Sequence, residues 1–178
     1  MLTNLNMSEL VQRTNINNKN LMVTHTRSRR EKKVSHYCND VGIKYYLPLE
    51  SRTRIYGRKK VQTTLPLFPG YLFVFVDEKE RYELLLTHHI AKILKVSNQL
   101  ELIEDLEKIY IAETCEINLV PCELNIEGRS ARIEIGPMRG LEGIISRIKG
   151  RNRIVLNVNF INRAAAVDIN RSEITLLN

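Results

Sequence analysis

The side chains best suited to metal or nucleophilic chemistry are four histidines and three cysteines. Their spacing assembles no site. His25, His36, His88 and His89 stand near no cysteine or acid at metal-ligand spacing, and Cys115 and Cys122 are too irregularly placed for a zinc pair. There is no Gly-x-Ser-x-Gly elbow and no phosphate-cradling glycine loop. No metal, cofactor or catalytic residue is therefore expected, and the chain is not read as an enzyme. What remains is surface chemistry. Arg29, Arg30, Lys32 and Lys33 crowd one short stretch, and Arg58, Lys59 and Lys60 crowd another beside Arg52, Arg54 and Tyr56. Such clusters can neutralise phosphates. Pro66-Leu67-Phe68-Pro69-Gly70-Tyr71 combines stiff prolines with large apolar side chains. That composition suits a rigid docking patch, because clustered aromatics make strong contact points.

The elements that must position these groups follow from periodicity. Ser28 and Glu31 are spaced as a capping box. Val34, Tyr37, Cys38 and Val41 follow as one helical stripe, and Gly42 stands where a left-handed cap is needed. The bases of this helix start oppose the helix dipole, a placement that points to use. Strands are expected at residues 21–24, 43–48 and 93–96, and a hairpin about Gly57 and Arg58. The apolar run 71–76 reads as a strand buried on both faces. Asp77 and Glu80 cap a second helix, with Tyr82, Leu85 and Leu86 inward. A third spans about 104–115, with Leu106, Ile109 and Tyr110 inward.

After residue 116 the pattern changes. Residues 116–126 have no clear period and contain Pro121, so they read as a linker. From Gly128 short β runs recur between glycine turns, the signature of a small five-stranded β-barrel. The β-branched residues between Ile144 and Ile174 disfavour a helical alternative. The expected fold class is α+β. An N-terminal α/β sandwich at 21–115, an antiparallel sheet flanked by helices, precedes the barrel at 127–178. Residues 1–20, polar and asparagine-rich, are expected to be a disordered tail.

With 178 residues, 43% hydrophobic and 26% charged, the chain can bury a core. Its net charge of +7 is unevenly spread. The stretch 27–60 carries a net +8, 61–126 a net −6 and 127–178 a net +4. A basic surface beside an acidic one favours nucleic acid, or something that carries it, as a partner. No apolar run is long enough for a membrane span, and the odd, irregular cysteines fit a reducing cytoplasm.

Four strings then carry a family resemblance over about residues 21–177. Residues 26–34, Thr-Arg-Ser-Arg-Arg-Glu-Lys-Lys-Val, resemble the opening helix of the N-terminal (NGN) domain of NusG-like transcription elongation and antitermination factors. Residues 66–74, Pro-Leu-Phe-Pro-Gly-Tyr-Leu-Phe-Val, are similar to that domain's most characteristic string. Residues 136–143, Gly-Pro-Met-Arg-Gly-Leu-Glu-Gly, look like the KOW motif of an SH3-like barrel, and Phe160-Ile161-Asn162-Arg163 looks like its later turn. Leu21-Met22 in place of Trp-Tyr, Asn162 in place of Gly and Ala166 in place of Pro suggest a specialised paralogue. The resemblance implies a monomer that binds the clamp helices of bacterial RNA polymerase through Phe68, Pro69 and Tyr71 and suppresses pausing or termination. Its basic helix would face upstream or non-template DNA. Phe160, Ile161 and Arg163 would contact a second partner, either Rho or the ribosome. The alternative is a ribosome-associated or general RNA-binding KOW protein, marked by a basic, aromatic-bearing barrel.

Overall fold

The computed structural model describes residues 2–3, 19–57, 59–115, 117–124, 127–148 and 150–177. Backbone contacts divide the chain into two units, Met1–Ile103 and Glu104–Asn178.

The first unit is built on an antiparallel sheet in the order β1-β3-β6-β2-β7. Its strands are β1 (Leu2–Thr3), β2 (Asn20–Thr26), β3 (Lys44–Leu47), β6 (Tyr71–Val76) and β7 (Ile90–Lys95). β6 is central, as its continuous apolar run requires. Leu72, Val74 and Val76 join Val34, Cys38 and Leu84 in one core cluster. Phe73 is buried in its alternate register position, its ring stacked on Tyr46 at 6.3 Å between centroids. Leu2–Thr3, within the expected tail, pairs with Leu47 and Tyr46. At the other end of that expected tail Lys19 pairs with Glu80 and Asn20 opens β2, while residues 1 and 4–18 lie outside the described residues.

Helix α1 (Glu31–Val41) and helix α2 (Glu78–Leu86) contribute Val34, Cys38 and Leu84 to the core. α2 begins with the expected capping box. The Asp77 side chain accepts from the Glu80 N–H, and the Glu80 carboxylate accepts from the Asp77 N–H. α1 does not. Its N-cap is Arg30, with no side-chain cap bond, because Glu31 is bound elsewhere and Arg29 takes a left-handed φ of 59°. Its end is as expected, with Gly42 at φ 76° closing it. The inward stripes are narrower than the periodicity suggests. Val41, Tyr82 and Leu86 are exposed, since helices this short present only about one turn of side chains to the sheet.

Strands β4 (Leu49–Tyr56) and β5 (Lys59–Pro66) form a separate two-stranded hairpin. Helix α3 (Gln99–Thr114) starts five residues earlier than expected, because Asn98 caps it: its Oδ1 accepts from the Glu101 N–H. The Gln99 amide pairs with both backbone groups of Leu21.

The second unit carries a six-stranded antiparallel sheet in the order β13-β9-β10-β11-β12-β8. The strands are β8 (Val120–Cys122), β9 (Arg129–Ile133), β10 (Glu142–Ile148), β11 (Arg151–Val158), β12 (Arg163–Asp168) and β13 (Ile174–Leu176). The sequence reading counted five, because β8 lies inside the expected linker. Pro121 is tolerated there since β8 is an edge strand, where its missing N–H breaks no ladder. After Thr114 the described residues hold only two short 3-10 turns and no α-helix, so the β reading of this half stands.

Candidate functional site

The Pro66–Tyr71 string is locked from three sides. The Leu67 N–H donates to the Pro48 carbonyl at 2.8 Å, and the Tyr71 N–H to the Phe68 carbonyl at 3.0 Å. The Gly70 N–H donates to the Glu31 carboxylate at 2.7 Å, and the Gly70 carbonyl accepts from the Thr26 N–H at 2.8 Å. Gly70 sits at φ 86°, which a side-chain-bearing residue rarely adopts, and its Cα faces the His25 ring. Glu31 is a buried carboxylate at 6% exposure. It therefore anchors the string and is unavailable as a capping partner.

This locking corrects the expectation that Phe68 belongs to the outward docking patch. Phe68 is 1% exposed and Leu67 fully buried; the tight turn at 68–71 folds both onto the sheet. Pro69 is exposed and Tyr71 half-buried, its ring edge-on to His25 at 5.3 Å. The outward part of the string is thus Pro69 and Tyr71, and Phe68 supports it from beneath.

The bases of α1 and the hairpin meet through Lys32, whose Nζ donates to the Thr64 carbonyl at 2.8 Å. Arg29 and Lys33 are exposed, while Arg30 and Lys32 are half-buried. Strand register splits the hairpin bases. Arg52, Arg54 and Lys59 share one face, while Lys60 lies opposite Ile55 on the other, the face of Thr64. Both lysines are exposed, and Arg52 is tied to the buried Glu50 at 2.6 Å. Arg58 lies outside the described residues.

In the second unit the turn after β11 is a 3-10 turn, Asn159–Ile161, closed by Asn162 at φ 51°. Asparagine tolerates that angle better than most residues. Phe160 is half-buried and Arg163 exposed, but Ile161 is 4% exposed and packs inward. The Asn159 N–H donates to the Asp105 carboxylate at 2.9 Å. The 136–141 turn is held by Gly136 and Gly140 at φ 91° and 89°, with Met138 and Leu141 buried.

Sequence reasoning missed Glu31 and His25 as partners of the string. Nothing in the spacing marks them, since the contact closes across 39 residues. Among the described residues no group of three or more His, Cys, Asp or Glu could hold a metal ion. No described helix is long and apolar enough to cross a membrane.

Residues 19–118 match the family described as transcription termination factor NusG. No curated protein matches the chain. The match covers more than half the sequence and takes in the basic helix, the hairpin and the locked string together, so the chain belongs to the NusG family of transcription factors.

Proposed function

We propose that the chain is a transcription elongation and antitermination factor that rides on RNA polymerase. The first unit docks on the polymerase clamp helices, with Pro69 and Tyr71 in contact and Phe68 holding them in place. Binding keeps the clamp closed and suppresses pausing or termination. Arg29, Arg30, Lys32 and Lys33, together with Lys59, Lys60 and Arg58, face upstream or non-template DNA. The second unit is a KOW domain whose sheet curls into a small barrel. Its Phe160 and Arg163, seated by Ile161, recruit a second partner, Rho or the ribosome. The factor acts as a monomer in the cytoplasm, and it has no catalytic step of its own.

The observation that carries this reading is the family match across the rigid, outward-facing Pro69–Tyr71 turn. Capture of core polymerase on immobilised protein tests it. The double variant Pro69→Glu, Tyr71→Ala should lose about 30-fold in affinity, since an anchor of this kind is worth about 2 kcal/mol. Its melting temperature should stay within a degree or two. Phe68→Ser should instead lower the melting temperature, because it empties a buried site. Undiminished capture by the double variant refutes the docking surface.

A further inference from the structure

The side-chain partners of the arginines in the second unit differ, Arg163 donating to the Asn162 carbonyl. Arg132 binds Glu142, and Arg151 and Arg153 both bind Asp168. The side chains of Arg129, Arg147 and Arg171 are exposed and make no ion pair or hydrogen bond to any described residue. These three converge. They line one hollow of about 300 Å³ whose floor is Ile145, Ile174 and Leu176. Register explains the convergence: Arg147 lies opposite Asn152, and Ile145 opposite Arg129. Gly128 lets the chain entering β9 lie flat against β10, since a Cβ there would collide with the Ile145 carbonyl and the Ile144 side chain. A second hollow of about 370 Å³ shares Asn152 and Arg171 with the first, so the two run on as a trough. The acids along it are Glu127 at one margin and Asp168, already held by two guanidiniums.

We propose that this trough binds single-stranded RNA. Three unpaired guanidiniums held together repel one another and call for an anion. Their planar forks fit phosphate oxygens two at a time. The aliphatic floor between them has no use for an acidic peptide but accepts the flat faces of unstacked bases by apolar contact. Asn152 in the same lining can donate and accept, and the Ser146 hydroxyl, which donates to the Glu127 carbonyl at 2.8 Å, can still accept, which suits base edges and the ribose 2′-hydroxyl. The trough lies where β10 ends and β11 begins. The Asn159–Ile161 turn follows the far end of β11, eight residues away, or about 25 Å along the strand. RNA and the partner proposed for that turn can therefore be held at once. The inference does not depend on polymerase binding.

The test uses the full chain with Arg29, Arg30, Lys32, Lys33, Arg58, Lys59 and Lys60 replaced by Gln, which removes the bases proposed above to face DNA. Anisotropy of a labelled, mixed-sequence RNA 12-mer is followed as salt is raised. Adding Arg129→Gln, Arg147→Gln and Arg171→Gln should weaken binding about tenfold. It should flatten the log–log salt slope by about 2, for three phosphates on a single strand. The matching Arg→Lys triple should keep the slope and unchanged circular dichroism. Unchanged RNA affinity in the Gln triple overturns the proposal. So does a Lys triple that loses the slope, a DNA 12-mer that binds as tightly as RNA, or a glutamate-rich peptide that competes equally.

Discussion

The β4–β5 hairpin and the β10–β11 pair have nearly the same local construction. Each joins strands of seven or eight residues through a two-residue loop with one left-handed glycine, Gly57 at φ 60° and Gly150 at φ 78°. Their surroundings are opposite. Most described side chains of β4 and β5 are exposed, including Ile55 at 68% and Val61 at 40%. In β11, Ile154, Val155, Leu156 and Val158 are all buried. On one face of that pair Val155 of β11 and Ile144 and Ile148 of β10 pack with Ala164 and Ala166 of β12. Turn chemistry and β propensity therefore suffice to make either ribbon. What differs is whether neighbours cover it, and so whether its side chains serve stability or recognition.

Glycine substitution should break this contrast most visibly. A Cβ on Gly143 in β10 would meet the Val155 carbonyl at 2.6 Å and the Ile154 side chain at 2.8 Å. Gly143→Val should cost about 3 kcal/mol or more in urea unfolding, the range of overpacked cores. Gly57 faces open space, so Gly57→Ala should cost only the left-handed strain, about 1–2 kcal/mol. Equal losses would show that the hairpin is packed against something.

Titration sharpens the same contrast for buried against open positions. Burial pushes the Cys38 thiol up to about 12 and the Cys122 thiol up to about 11, against an ordinary value of 9.0. Above pH 9 the unfolded chain ionises both thiols while the folded chain holds their protons. The folded state then binds more protons, and stability falls as pH rises. The slope should approach about 1.4 kcal/mol per pH unit for each thiol between pH 9 and 11. Cys38→Ala and Cys122→Ala should each remove their part of it, read from denaturation midpoints at pH 8, 9 and 10.

Charge removal on the hairpin should affect stability least. Lys59→Gln with Lys60→Gln should leave unfolding within about 0.5 kcal/mol of the parent, as exposed sites do. The same pair should flatten the salt slope of duplex DNA binding by about 1.8. Because the two lysines face opposite sides, each single variant should show whether one face or both meet the DNA. A slope that does not move would remove the hairpin from the DNA-facing surface.

Sequence patterns revealed the elements more readily than their partners. The run 71–76, the Asp77–Glu80 box and the left-handed position at Gly42 are all legible, because each signal is local. β8 was not, since three residues around a proline become a strand only through Ala164–Ala166 some 40 residues on. Glu31 was read as a cap because its spacing from Ser28 is the same whether its carboxylate turns back to the helix or reaches Gly70. Phe68 and Ile161 were read as contact residues, yet both are buried. A motif string records which residues occur together, and tertiary packing decides which of them point outward.

β2 carries a consequence for synthesis on the ribosome. It is hydrogen-bonded on one edge to β6 and on the other to β7, both much later in the chain. The Thr24 hydroxyl finds the Leu72 carbonyl 48 residues downstream, and the Leu21 N–H finds Gln99 78 residues downstream. At about 5–20 residues per second, the second wait lasts roughly 4–16 s. Both edges of this apolar strand stay open until β6 emerges and one stays open until β7 does, and such a segment aggregates when left unpaired. Translation speed between Thr26 and Gln99 should therefore govern the yield of folded protein more strongly than speed anywhere in the second sheet. There β9, β10 and β11 each pair with the next strand as it emerges.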